Sequence, residues 1–177
     1  MDVDNVISVL LVKEDPEYIL FKTAMLFAEQ GLLVWFISSK PFENLPKKIT
    51  NHDKEILQQI TFLYLRNLKD LITELNGIHL WNKSPSIIIL SQFKTYVQVP
   101  VEDPKNFLAA FILTSLLDSA AVCSKKNKKK SLILTCTEDV SNMNKFQILF
   151  DMYFSHSVQK IDEDNTVDTI VKIYTNQ

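Results

Sequence analysis

Short apolar runs alternate with helix-patterned stretches along this chain, and that alternation constrains the fold more than any other feature. Residues 6–12 form a nearly unbroken apolar run, as expected of a strand buried on both faces. Glu14-Asp15-Pro16-Glu17 follows, with Asp15 placed to cap a helix and Pro16 suited to its first position. The predicted helix runs to about Gln30, ends at Gly31 and is apolar nearly all round, so it reads as a buried helix. Further strands are predicted over 32–37, 60–65, 87–90 and 131–136. Between them lie a polar loop over 41–53, a short helix over 54–59, and a helix capped by Asn67 that ends at Gly77. The longest helix opens at Asp103-Pro104, with Phe107, Ala110, Phe111, Thr114, Leu117 and Ala121 on one face. Another helix is predicted over 143–154. Two closing strands, 157–161 and 167–174, are joined by the acidic turn Asp162-Glu163-Asp164. Strands alternating with helices imply a parallel sheet covered on both faces. The short last turn implies an antiparallel edge.

A chain of 177 residues with 46% hydrophobic and 23% charged residues suits one domain, spanning 1–177, with its own core. The net charge of −2 gives no global attraction to nucleic acid or anionic membrane, so such binding needs a local patch. Cys123 and Cys136 fall in an apolar helix and strand and read as reduced, buried thiols, with no zinc spacing. The acidic start does not fit a signal peptide, and no stretch reaches membrane-spanning length without polar interruption. This points to the cytosol or nucleus. His52, His79 and His156 are scattered, with no nucleophile motif beside them. Gly31 and Gly77 are the only glycines, and loops that cradle phosphate need glycine where backbone approaches the ligand.

Several segments carry a resemblance. Lys22-Thr23-Ala24-Met25-Leu26-Phe27-Ala28 is similar to the Lys-Thr and apolar helix that follow a Walker A loop. Lys40-Pro41-Phe42-Glu43-Asn44-Leu45-Pro46, the run from Leu57 to Tyr64, and Leu116-Leu117-Asp118-Ser119-Ala120-Ala121 within a long helix add three further matches in order. With the four-residue strand 87–90, they resemble the RecA-like subunit of animal Shu complexes, from about Ser8 to Ile161. The resemblance implies a RecA-like three-layer core and a distant recombinase paralogue. It also implies pairing with a SWIM-type zinc-finger protein, binding to single-stranded DNA and nuclear support of recombinase filaments during homologous recombination. Contacts to the recombinase or its paralogues follow from the same resemblance.

The nucleotide machinery departs from that pattern. A Walker A loop is GxxxxGK[ST]. Alignment on Lys22-Thr23 puts Pro16-Glu17-Tyr18-Ile19-Leu20-Phe21 where the loop belongs, without either glycine. Pro16 offers no N–H, and Glu17 repels phosphate. The strand 87–90 is followed by Ser91 rather than a magnesium-binding aspartate. Lys22, Thr23 and Ser91 are therefore vestigial positions, no cofactor or metal is expected, and the chain reads as a pseudo-ATPase. A divergent P-loop hydrolase with a rebuilt site and an α/β scaffold with no DNA role are the alternatives.

Two regions offer DNA contacts. Lys125, Lys126, Lys128, Lys129 and Lys130 form the one dense basic run, readable as a phosphate patch, a solvated turn or a nuclear address. The topology puts this turn at the N-terminal end of a strand, away from the usual ligand side. On the ligand side lie Lys94 and Tyr96, and Lys145, where basic and aromatic residues together suit single strands. Trp35, Phe42, Trp81, Phe93 and Tyr96 are large for one small core, so Phe42, Phe93 and Tyr96 are candidate partner contacts. Phe21-Lys22-Thr23-Ala24 and Phe107-Leu108-Ala109-Ala110 both spell the Phe-x-x-Ala docking pattern, and both are expected to be core packing.

Overall fold

The structure is a computed structural model that describes residues 5–42, 54–97, 105–137, 140–159 and 162–176. Among the described residues six strands are formed: β1 (Val6–Val12), β2 (Val34–Ser38), β3 (Ile60–Tyr64), β4 (Ile87–Leu90), β5 (Ser131–Thr137) and β6 (His156–Gln159). They make one sheet in the order β3-β2-β4-β5-β1-β6, with every neighbouring pair parallel. Register is fixed through β1, where Val9 lies opposite Leu134 on one side and His156 on the other. The central strands β2 and β4 are buried along their whole length, which is why they read as continuous apolar runs.

The helices are α1 (Glu17–Glu29), α2 (Lys54–Leu57), α3 (Leu68–Asn76), α4 (Phe93–Val97), α5 (Lys105–Asn127), α6 (Val140–Tyr153) and α7 (Glu163–Thr175). α1, α2 and α7 cover one face of the sheet, packing on Val9, Leu11, Phe36, Ile89 and Leu134. α3, α4, α5 and α6 cover the other, over Leu10, Trp35, Ile37, Ile88 and Ile133. The layers are thus helix, sheet, helix.

Several expectations are met locally. Asn67 caps α3, its side chain accepting from the Asp70 N–H at 2.9 Å. Gly31 follows α1 at φ +75°, a conformation that a side chain would oppose. Asp15 is the exception at the other end of α1. It sits at φ 51°, and Pro16 flanks the helix with no side-chain cap.

The C-terminal region corrects the sequence reading. The expected final strand over 167–174 is the helix α7, and β6 joins the sheet parallel to β1, so the antiparallel edge is not formed. Asp162 caps α7 by accepting from the Glu163 N–H at 2.8 Å, and Glu163 and Asp164 put negative charge in its first turn. Val167 and Ile170 are then buried, with Val171 and Tyr174 beside them, a spacing of three and four. That face closes against α1, with Phe27 and Tyr174 ring centroids 5.3 Å apart.

The longest helix is also rotated from its expected face. α5 buries Ala109, Ile112, Leu113, Leu116, Ala120 and Cys123, while Phe107 is 71% exposed and Phe111 43%. Small residues at Ala109 and Ala120 let the helix lie close to the sheet, and the bulky rings face outward. Ser115 and Ser119 sit on the buried side and satisfy their hydroxyls on helix carbonyls at 2.9 and 2.7 Å. Residues 107–127 are long and apolar enough to cross a membrane by length and composition, with Asp118 interrupting them as expected, in a helix whose inner face is core of this sheet.

Candidate functional site

A parallel sheet gathers its C-terminal strand ends along one edge, and ligands enter where neighbouring strands send their connections to opposite faces. Among the described elements three neighbouring pairs meet that condition; one is β2 with the edge strand β3, which continues into α3, and the other two lie inside the sheet. β1 continues into α1 on one face, while its neighbour β5 continues into α6 on the other. β2 continues toward α2 on the first face, while its neighbour β4 continues into α4 on the second.

The β1–β5 crevice is closed by the chain itself. The Lys13 N–H donates to the Thr137 carbonyl at 3.0 Å, bridging the two strand ends. The Lys13 ammonium, with its side chain only 8% exposed, meets Glu163 Oε1 at 3.1 Å. Lys22 Nζ pairs with Asp164 Oδ1 and lies 5.8 Å from the Tyr18 ring. The hydrogen bond to Asp164 raises the Lys22 pKa above its ordinary value, against a smaller opposing effect of burial. Of the residues aligned with a phosphate loop, Glu17 to Phe21 are helical, and Ile19, Leu20 and Phe21 are fully buried in the core. Thr23 is buried beside them, its hydroxyl without a partner among the described residues. Two carboxylates from α7 therefore meet the two lysines of this region, one on each.

Ser91, which follows β4, is buried and spends its hydroxyl on the Ile37 carbonyl at 3.0 Å. Cys136 donates its thiol to the Ser91 carbonyl at 2.8 Å. The β2–β4 crevice above these residues is open. It holds a cavity of about 450 Å³ whose lining includes Ser39 and Lys40 from the end of β2 and Ser91, Gln92, Lys94 and Thr95 from the end of β4. Phe93 and Cys136 line the same cavity.

The lysine turn behaves otherwise. It leads into the N-terminal end of β5, at the edge opposite the cavity, as its place in the sequence implies. Lys125, Lys126, Lys128 and Lys129 are exposed and Lys130 is half-buried. Lys126 Nζ donates to the carbonyls of Trp81 and His79, and Ser124 Oγ donates to the Lys129 carbonyl at 2.7 Å. The turn is thus a built structure, with Lys128 at φ 52°. It is separate from Lys94. Lys145 lies on α6 at a position whose side chain is outside the described residues, as are His52 and the Glu43-Asn44-Leu45-Pro46 part of the second matched segment.

The aromatic candidates are corrected by burial. Phe93 is 3% exposed and packs edge-on to Phe150 at 6.0 Å. Tyr96 is 2% exposed and donates its hydroxyl to the Leu65 carbonyl at 2.6 Å. Neither offers a ring to a strand of DNA or to a partner in this conformation. Phe42 is half-buried in a cluster with Phe21, Phe36 and Phe62. Trp35 is core, and Trp81 leans on it at 4.9 Å with its indole N–H on Glu74 Oε1.

The large exposed apolar residues are elsewhere. Phe107 and Phe111 stack on each other on α5, 6.3 Å apart and nearly coplanar in orientation. Ile148 and Met152 on α6 are 77% and 72% exposed. α5 and α6 pack together, tied by a 3.0 Å hydrogen bond between Thr114 and Tyr153. Of the two Phe-x-x-Ala segments, Phe21 and Ala24 are core as expected, but Phe107 is not. The sequence hid this surface because α5 is apolar on more than one face.

A scan against models of known protein families finds no match, and a search of curated proteins finds none.

Proposed function

We propose that this chain is a non-hydrolysing RecA-like subunit of a Shu-type complex, which pairs with a SWIM-type zinc-finger protein and supports recombinase filaments on single-stranded DNA in the nucleus. The observation that carries the reading is the filled β1–β5 crevice. There, buried apolar helix replaces a phosphate loop, and Glu163 and Asp164 hold Lys13 and Lys22. An adaptor needs the architecture of such a core without its turnover. The neutral Ser91, with its hydroxyl already spent, agrees with loss of metal-dependent hydrolysis. The apolar residues of α5 and α6 supply a surface for protein contact. DNA affinity in this reading is weak and rests on lysines.

The test is co-expression with a SWIM-type zinc-finger protein, followed by purification through a tag on either chain. A stoichiometric complex that raises the solubility and melting temperature of this chain is the expected result. Separate elution with unchanged melting temperature refutes the reading. Saturable ATP binding abolished by Lys22→Ala refutes its non-hydrolysing part.

A further inference from the structure

The β2–β4 crevice is unaccounted for by a binding subunit that works through its outer surfaces. We propose that it is a binding site for a phosphate monoester of mononucleotide size, held by Lys40 and Lys94. The inference is independent of the Shu-type reading.

Position is the first argument. Of the two crevices inside the sheet at its C-terminal edge, one is bridged by backbone and ion pairs, and this one holds a cavity. Its volume of about 450 Å³ is in the range of small-molecule sites, roughly 300–1,000 Å³.

The chemistry of the lining is the second. Its charged residues are Lys40 and Lys94, with no carboxylate among the described lining residues. Neither ammonium has a partner among the described residues. Gln92 Oε1 accepts from both the N–H and the hydroxyl of Ser39, which fixes the orientation of the amide. The Gln92 NH₂ is thereby left as a donor without a partner among the described residues, and the Thr95 hydroxyl is likewise unspent. The Ser91 hydroxyl is already committed to Ile37. The unsatisfied capacity of the cavity is therefore nearly all donor, and two of the donors are cations. An acceptor-rich anion complements such a lining, and a phosphate monoester brings two charges and three terminal oxygens. A carboxylate would leave donors unmet, and a neutral ligand would leave both cations unmatched.

The experiment titrates the full chain, or its complex if a partner is needed for solubility, with thymidine monophosphate, with thymidine, and with a twelve-residue thymidine oligonucleotide. Saturable binding of the monophosphate is expected, with thymidine at least about tenfold weaker, because the charge-assisted bonds belong to the phosphate. Lys40→Ala with Lys94→Ala should weaken the monophosphate at least about tenfold at unchanged melting temperature, both residues being exposed. Gln92→Leu should weaken it as well, by removing the oriented amide. Neutralising Lys125, Lys128 and Lys129 should leave it unchanged. Equal binding of thymidine and its monophosphate overturns the proposal, as does full affinity in the double alanine variant. Binding of the oligonucleotide without the monophosphate also overturns it, since the crevice would then serve a strand rather than a small ligand. None of these outcomes bears on co-purification with a zinc-finger partner.

Discussion

The Tyr96 hydroxyl reaches from α4 to the carbonyl of Leu65, just beyond β3, and so ties two connections on the same edge of the sheet. Burial raises its pKa well above the ordinary phenol value, with a further push from the Asp70 charge. Tyr96→Phe keeps the packing and removes only the bond. Leu65 is half-buried, so water can partly replace the donor, and the cost should be near the low end for a lost buried partner, about 1 kcal/mol. A fall in melting temperature of roughly 2–4 °C would record it. Cys123 gives a second test at this scale. Burial lifts its thiol from 9.0 to about 12, outweighing the lowering effects of Lys126 and Ser84. A thiol that keeps its proton longer in the folded state favours folding below pH 9. That contribution is lost as pH rises from 9 toward 12, because the unfolded chain ionises first. At pH 8, iodoacetamide should leave both buried cysteines of the native protein unmodified and alkylate both after unfolding in guanidinium. Rapid labelling of the native protein would show that these positions open. The identity of a residue did not disclose its burial: Tyr96 and Phe107 are both aromatic, and only their helix's seat on the sheet separates core from surface.

At the scale of elements, α7 shows how a helix stabilises its neighbour through its apolar face and not through its ion pairs. Lys22 and Asp164 have side chains 34% and 69% exposed, so breaking their pair by Lys22→Ala should cost no more than about 1 kcal/mol. Ile170 is fully buried against α1, and Ile170→Ala should cost about 2–5 kcal/mol. Urea titrations of both variants measure the ratio, and a larger loss from Lys22→Ala would contradict this account. The same helix marks where the sequence ceases to be legible. Strands β1, β2, β4 and β5 are readable because each is buried on both faces and has no other way to satisfy that much apolar surface, whereas β3, at the sheet edge, is readable although only half-buried. Residues 167–174 are rich in Val, Ile and Thr, which favour strands, and they also satisfy the three-and-four spacing of a helix. The choice is made by the Asp162 cap and by the bare flank of α1, a long-range fact. α5 fails differently: its helix is evident, but a helix apolar all round carries no periodic signal for which side meets the sheet. The β2–β4 crevice was half visible. Ser91, Gln92 and Lys94 stand on the right edge by topology, while Ser39 and Lys40 join them only through pairing of β2 with β4.

The whole molecule separates its surfaces by edge and face. Basic residues occupy the N-terminal edge at Lys125 to Lys130, the donor-lined cavity occupies the C-terminal edge, and Phe107, Phe111, Ile148 and Met152 expose apolar surface on α5 and α6, apart from Leu80 and Tyr64 elsewhere. Because one protein surface cannot present both edges to a single phosphate track, DNA binding should depend on one lysine group. Neutralising Lys125, Lys126, Lys128, Lys129 and Lys130 should weaken binding to a single-stranded oligonucleotide and flatten the slope of log affinity against log salt. An unchanged slope would move the contact to Lys94 or to a partner chain. In the proposed complex, the partner should seat on α5 and α6. Phe107, Phe111, Ile148 and Met152 are among the apolar side chains that this pair of helices leaves in water, and apolar side chains gain about 25 cal/mol for each Å² withdrawn from it. Their exposure also makes them safe to change, since they contribute little to the core, unlike Phe93 or Tyr96, where a charge would unfold the protein and mimic lost binding. Phe107→Glu with Phe111→Glu, and separately Ile148→Glu with Met152→Glu, should therefore leave the melting temperature of the isolated chain within a few degrees of its original value. Each pair should reduce recovery of a SWIM-type zinc-finger partner at least about tenfold, the loss expected when a charge enters a hydrophobic interface centre. Phe42→Glu serves as the contrasting variant, because its ring belongs to the cluster of Phe21, Phe36 and Phe62 and its charge should act through stability. If both glutamate pairs retain full partner binding while Phe42→Glu loses it at unchanged melting temperature, the interface lies beyond the end of β2 and the α5–α6 face has another purpose.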